Sequence, residues 1–445
     1  MQNEELRKGE REAFMNTFNY SAAQVELSER ILDVIRVGCK FSRVKSIERQ
    51  TFNGRSARAI AGGKLGHAGN TQGMSDDELI GRAIDAAQVG APTGLTFPGA
   101  TVSSNQVDPA LALLSESDLR ALAEEILLGI GQGKREVVIE LEVRKVREEV
   151  RLSNSSGGQI GLTRAWLEGD AWVERHSGDE VFVVFDNFSS ARVDGAHREF
   201  ARRMARRLRW ANKPARPVSG PQSVVLSPSA FASLLRPMLF RLNGMHAVEA
   251  GSRGHKRQTG FAARNGQQMF DTRFSLYDDA TLPDRPYSSA VDHEGTPGQR
   301  TTLIECGVLK GYYHTLHTAA QIGARSTGNG WRSMMEPPRP TLTNVVVERG
   351  EARLADMLKG LEDGLLIDMV MSSDGSVGLR GDFSRTVALA YRVKRGRVTG
   401  YVRGVGAAGN LYRSLSRIEA LGREGFWSDH ISAPYIQLGG VTITA

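Results

Sequence analysis

Cysteine is scarce in this sequence: Cys39 and Cys306 are the only two among 445 residues. Two thiols cannot build a disulfide framework or a four-thiolate zinc site. Proline is sparse at 15 residues while glycine reaches 49, a pairing that tight turns and a sizeable β content explain. No run of ~18 apolar residues occurs, which excludes a membrane-spanning helix. The opening residues, MQNEELRKGEREAFM, carry both signs of charge and contain no apolar core of the signal-peptide kind. A soluble, cytoplasmic protein is therefore expected. Neither sign of charge dominates: 57 basic against 50 acidic side chains leave +7, which permits an acidic partner without requiring one. With 40% hydrophobic and 24% charged residues the composition is globular, and the length predicts two or three domains.

Apolar spacing predicts an α+β fold. Val25, Leu27, Ile31, Leu32 and Ile35 fall near one face at helical spacing, so residues 21–37 are expected to form a helix that stops at Gly38. The next segment, RVKSIERQTFNGRSARAIAGG, reads as strand, Asn53-Gly54 turn, strand. Ser75 and Glu78 form a capping box opening a helix that buries Leu79, Ile80, Ala83, Ile84 and Ala87 and ends at Gly90 and Pro92. Residues 91–114 read as a linker or long loop, and a further helix from Ser115 carries Leu119, Leu122, Ile126, Leu127 and Ile130. Strands with turns at 154–158 and 177–179 follow, then a helix at about 194–211.

Pro214 and Pro217 mark the main boundary. It separates a helix–sheet N-terminal domain, 1–215, from a strand-rich C-terminal domain, 216–445. The first has a hairpin–helix part at about 20–90 and a second part at about 110–215. In the C-terminal domain the runs SVVLS, TLIECGVL, TNVVVERG, GLLIDMV and TVALAYRV read as strands, interrupted by helices near 229–243, 351–363 and 411–421.

Common catalytic signatures fail on inspection. GIGQGKR at 129–135 has Leu128 in place of the first glycine of a phosphate loop and Arg135 in place of its Ser or Thr, so it reads as a helix C-cap. No G-x-S-x-G elbow occurs. Cys306 lies in an apolar strand pattern and reads as a buried small hydrophobe. His314 and His317 form H-x-x-H with no carboxylate or thiolate at ligand spacing, His293-Glu294 continues with Gly-Thr-Pro, and His246 and His255 flank a Gly-rich stretch as loop residues. On the helix at 194–211, Phe200, Met204 and Leu208 recur every four residues among Arg198, Arg202, Arg203, Arg206, Arg207 and Arg209. With little aromatic interleaving, that face reads as solvated arginines paired with acidic neighbours rather than as a nucleic-acid footprint. Cys39 beside Lys40 has no assignable role.

Four blocks in fixed order carry a family resemblance: VDHEGTPGQRTTLIECGVLKGYYHTLHTAAQIGARSTGNGWR at 291–332, PTLTNVVVERG at 340–350, GLRGDFS at 378–384 and APYIQLGGVTI at 433–443. Together with the capped helix near the N-terminus, they resemble the TldD/PmbA family, once called modulators of DNA gyrase and related to zinc peptidases. TldD-like members carry an H-E-x-x-x-H helix and a later cysteine ligand. In the corresponding segment here, SLLRPMLFRLNG at 233–244, Arg236 and Arg241 stand at the histidine positions and Pro237 at the glutamate. Guanidinium groups offer no lone pair to a metal, proline cannot act as a base, and the tail SDHISAPYIQLGG lacks the cysteine.

The resemblance therefore implies the PmbA branch, also called TldE. It implies a non-catalytic subunit with no bound cofactor of its own, paired with a TldD-like peptidase that holds the zinc, or with a second copy of itself. It implies an enclosed chamber for unfolded or modified peptides, with no membrane or nucleic-acid partner. Candidate peptide-channel residues are Asp292, Glu294, Arg300, Asn329, Arg332, Asp382, Phe383 and Ser384. Gly328-Asn329-Gly330 reads as too small and flexible for core, and strand edges there are expected to take up a substrate strand. Two alternatives remain: an independent metal-dependent hydrolase using His314 and His317, and a basic nucleic-acid-binding protein.

Overall fold

A computed structural model describes residues 23–71, 73–131, 133, 136–177, 180–252, 261–371 and 381–445. The expectations for the opening residues, Gly178-Asp179, Arg135, His255 and Arg380 lie outside them.

Two sheets carry an α+β architecture, helix–sheet first and strand-rich second. The first sheet takes eight strands from the N-terminal half: β1 (Ala23–Lys40), β2 (Arg43–Ala61), β3 (Lys64–Asn70), β4 (Ala91–Pro92), β5 (Thr101–Gln106), β6 (Val137–Asn154), β7 (Gln159–Ser177) and β8 (Glu180–Ser190). Their order is β4-β3-β2-β1-β6-β7-β5, with β8 also on β7. Its helices are α1 (Asp76–Gln88), α2 (Pro109–Leu113), α3 (Glu116–Ile130) and α4 (Ala196–Trp210). Residues 91–114 are thus not a loop; they hold β4, β5 and α2, the last capped by Asp108.

The expected helix at 21–37 is instead the long strand β1. The Asn53-Gly54 turn is absent too: β2 runs through it, pairing Asn53 with Ile31 and Gly54 with Arg30. Both differences come from burial on two faces. Val25 and Leu27 pack with Ala57, Ala59 and the α1 residues Leu79, Ile80 and Ala83, whereas Glu26 and Ser28 are buried on the opposite face. Gly54 allows a close approach rather than a turn, since a Cβ there would lie 2.4 Å from the Met334 carbonyl oxygen.

The second sheet has eleven strands: β9 (Gly220–Leu226), β10 (Leu276–Asp279), β11 (Arg300–Glu305), β12 (Val308–Leu309), then, after a separate pair β13 (Gly330–Trp331) and β14 (Arg339–Pro340), β15 (Val345–Val347), β16 (Asp363–Val370), β17 (Asp382–Lys394), β18 (Arg397–Val402), β19 (Val405–Asn410), β20 (Ile418–Ser428) and β21 (Ile431–Thr444). β9 pairs with both β16 and β21, so β21-β19-β17-β16-β9 closes into a ring. The helices here are α5 (Pro228–Arg241), α6 (Gly244–Ser252), α7 (Leu316–Gln321), α8 (Leu354–Gly360) and α9 (Leu411–Leu415). The helix expected over 411–421 stops at Leu415 and gives way to β20.

One core lies wholly in the C-terminal half, around Phe231, Leu235, Phe274 and Ile367. Another is shared: Leu119, Ile126, Phe200 and Met204 of α3 and α4 pack with Leu366, Leu389 and Tyr391 of β16 and β17. The Arg-rich helix α4 sits at that seam. Arg207 is 3% exposed, and its Nε lies 2.7 Å from Asp368 Oδ2. Arg203 lies 2.6 Å from Asp186, and Arg198 pairs with Glu125 on α3. Arg207 thus ties the two halves together through Asp368, and Arg203 reaches the C-terminal half by stacking on the Phe426 ring, 4.4 Å from its centre, instead of forming a solvated face.

Candidate functional site

Helix α5 is the element on which a metal motif would lie. Pro228 sits in its first turn, and the Ser227 hydroxyl accepts from the Ala230 amide. Phe231, Leu234, Leu235, Met238 and Leu239 turn into the core, which leaves Arg236 and Phe240 outward. Arg236 Nη2 lies 3.2 Å from Asp429 Oδ2. Asp429 also accepts from Tyr287 and sits 2.9 Å from His430 Nδ1. Burial opposes ionisation of Asp429, but His430 and Arg236 hold its pKa down at about 2.

The donor set on α5 does not fit a divalent metal: two guanidinium groups and a proline offer no ligand. Among the described residues, no three His, Cys, Asp or Glu side chains gather where they could hold one. His314 and His317 do not converge with a third ligand. His314 Nδ1 is 3.2 Å from the Thr318 hydroxyl, and His317 Nδ1 is 3.3 Å from that of Thr93. Cys306 is exposed, in a turn with φ 46°, and not buried in a strand as expected.

Beside α5 runs a groove of about 930 Å³ between the two halves. Arg30, Arg164 and Trp166 of the first sheet line one side; Phe240, Met245, Trp331 and Arg332 belong to the other. Phe240 is 59% and Met245 49% exposed, so the groove offers apolar surface to a ligand.

The groove wall rests on a buried charge network. Glu26 receives Arg58 through both oxygens, at 2.7 and 2.8 Å, and Arg332 Nη2 at 2.6 Å. Arg58 Nη1 reaches Glu294 Oε1 at 2.5 Å, and Glu294 Oε2 accepts from the Leu316 amide where α7 begins. Burial alone would raise the Glu26 pKa, but Arg58 and Arg332 more than offset it and hold it low. Nearby, Glu148 accepts from Arg30 Nε and Arg164 Nε, each at 2.7 Å. Asp292 accepts from the amides of Glu294, Thr296 and Gly330. Burial, then the Glu294 charge, pushes its pKa up to about 7.

Of the candidate channel residues, Asp292, Glu294, Asn329 and Arg332 come together, but as buried groups. Asn329, expected outside the core, is 1% exposed and donates to Asp278 and the Thr341 carbonyl. Gly330 must lack a side chain, since a Cβ there would lie 2.2 Å from Glu294 Oε2. Of the eight candidates, Arg332 alone lines the groove. Arg300 is exposed beside Glu348, Asp382 and Ser384 are exposed on β17, and Phe383 is in the C-terminal core. The groove residues Arg30, Arg164, Trp166, Phe240 and Trp331 escaped sequence reasoning because they meet only in the fold.

Residues 219–445 match the family model described as the PmbA/TldA metallopeptidase C-terminal domain. An uncharacterized protein of Methanocaldococcus jannaschii is 28% identical over 295 residues, 62% of this chain and 68% of that one. A metalloprotease TldD homolog of Buchnera aphidicola is 30% identical over 179 residues, 40% of this chain, and the alignment spans only 36% of the relative. In fold, the crystal structure of TldE from Thermococcus kodakarensis is similar over 100% of both chains, with a TM-score of 0.83 at 21% identity. The family model takes in more than half of the residues, including both α5 and the ring of strands behind it. The chain belongs to the TldD/PmbA family.

Proposed function

We propose that this chain is a non-catalytic, peptide-holding subunit of a TldD/PmbA-type metallopeptidase complex. The observation that carries the reading is α5: it borders a groove of peptide size, yet carries Arg236, Pro237 and Arg241 where the family resemblance would place histidines and a glutamate. Likeness in fold to TldE from Thermococcus kodakarensis supports the same branch. On this reading the zinc and the general base belong to a TldD-like partner subunit in a cytoplasmic heterodimer. This chain binds and orients an unfolded peptide through Phe240, Met245 and the groove's arginines.

The test is hydrolysis of an unstructured peptide by the chain alone, by an H-E-x-x-x-H-bearing relative alone, and by the mixture. The mixture should outpace the relative alone, and a chelator should abolish all activity. Hydrolysis by this chain alone would overturn the reading.

A further inference from the structure

The wall of the groove between the two halves has cations and N–H groups in excess of acceptors. Arg30 and Arg164 share the single carboxylate of Glu148, and neither has another ion pair among the described residues. Arg164 spends its remaining contacts on the carbonyls of Pro286 and Ser288. Its guanidinium carbon lies 4.7 Å from the ring centre of Trp331, which lines the groove. The Trp331 Nε1–H is buried and has no acceptor among the described residues.

Behind it, 4.4 Å between ring centres, lies His293, itself 1% exposed. His293 Nδ1 accepts from the Arg332 amide at 3.3 Å, which leaves the ring proton on Nε2, and that N–H also has no acceptor. Buried donors normally find acceptors, and guanidinium groups pair strongly with carboxylates. On the groove wall itself, the unmet Trp331 N–H and the surplus guanidinium charge of Arg30 and Arg164 call for an anionic acceptor.

We infer that the groove recognises a carboxylate on the bound peptide, held between Arg30, Arg164 and Trp331. The inference rests on the peptide-holding reading above and specifies its substrate class. The carboxylate comes either from an acidic side chain or from a free peptide C-terminus. Phe240 and Met245 would cover the neighbouring residues of the same peptide.

Two pairs of fluorescent unstructured peptides separate these sources. One pair differs by a single central Glu or Gln; the other differs by a C-terminal acid or amide. Anisotropy titrations on the full chain, at physiological ionic strength to screen surface attraction, give the ratio within each pair. In at least one pair the carboxylate member should bind roughly 10-fold more tightly, the scale of a charge-assisted hydrogen bond. The pair that shows it names the source.

Trp331→Phe keeps an aromatic ring and removes the N–H, so the ratio of carboxylate to neutral peptide affinity should fall to about 3-fold or less. A preference left intact by Trp331→Phe would overturn the role of that donor. Should the variant fail to fold, the wild-type ratios still decide the carboxylate. Equal binding within both pairs overturns the inference and leaves peptide holding in place; no binding of any peptide overturns both.

Discussion

Glu148 is 1% exposed and accepts from both Arg30 and Arg164. Burial opposes its ionisation, yet the two guanidinium groups and His293 hold its pKa at about 2, against an ordinary 4.5. A depressed carboxylate stabilises the fold fully above its unfolded pKa, and that stabilisation is lost as pH falls toward the folded one. Glu148 should therefore give the protein an acid limb between pH 4.5 and about 2. Asp292 acts in the opposite sense: burial raises its pKa to about 7, so ionising it on the way up from pH 3.8 costs stability. The difference between wild type and Glu148→Gln isolates the first effect. At pH 7 the variant should lose about 3 kcal/mol, because the buried Arg164 and the half-buried Arg30 lose their shared carboxylate. That loss should shrink toward pH 2 in denaturant titrations, and a pH-independent difference would show that packing and not charge is at stake. This pair was within reach of the sequence. The turn expected at 154–158 pairs Ser153 with Gln159, and counting back along both strands brings Glu148 opposite Arg164. The Glu26–Arg332 contact was not legible in the same way, because its two residues lie 306 positions apart.

Among the elements, β1 shows why helical spacing misled. Val25, Leu27, Ile31, Leu32 and Ile35 suit a helix, but Val25–Glu26–Leu27–Ser28 already alternates apolar with polar. The alternation looks weak because the polar face is buried too, against charged groups supplied by the C-terminal half. The capped helix from Ser75, the helix from Ser115 and the glycine-bounded C-terminal strands were legible, since each rests on local chemistry. Gly54 and Gly330 were misread because their smallness serves distant neighbours, Met334 and Glu294. α5 permits a direct prediction. Pro237 lies inside the helix, where it removes a backbone hydrogen bond at a cost of about 3 kcal/mol. Pro237→Ala should raise the stability by ~1–3 kcal/mol in denaturant unfolding without conferring metal binding. A loss of stability would mean that the ring's packing outweighs the missing bond.

At the scale of the molecule, the seam between the halves does two jobs. Its apolar part, around Phe200, Met204, Leu389 and Tyr391, holds the halves together. Its charged part, around Glu26, Arg332 and Glu148, supports a groove beside a helix that offers no His, Cys, Asp or Glu ligand. The family blocks near 291–332 were legible as a resemblance; their role as the buried support of this groove was visible only once residues from both halves met. The central claim is that the groove holds peptide without a metal of its own. Calorimetric titration of the full chain with an unstructured peptide, with and without a chelator and alongside metal analysis, tests it most directly. The account predicts saturable binding that the chelator leaves unchanged, on protein without stoichiometric zinc. Binding that vanishes with the chelator and tracks one bound metal per chain would contradict it.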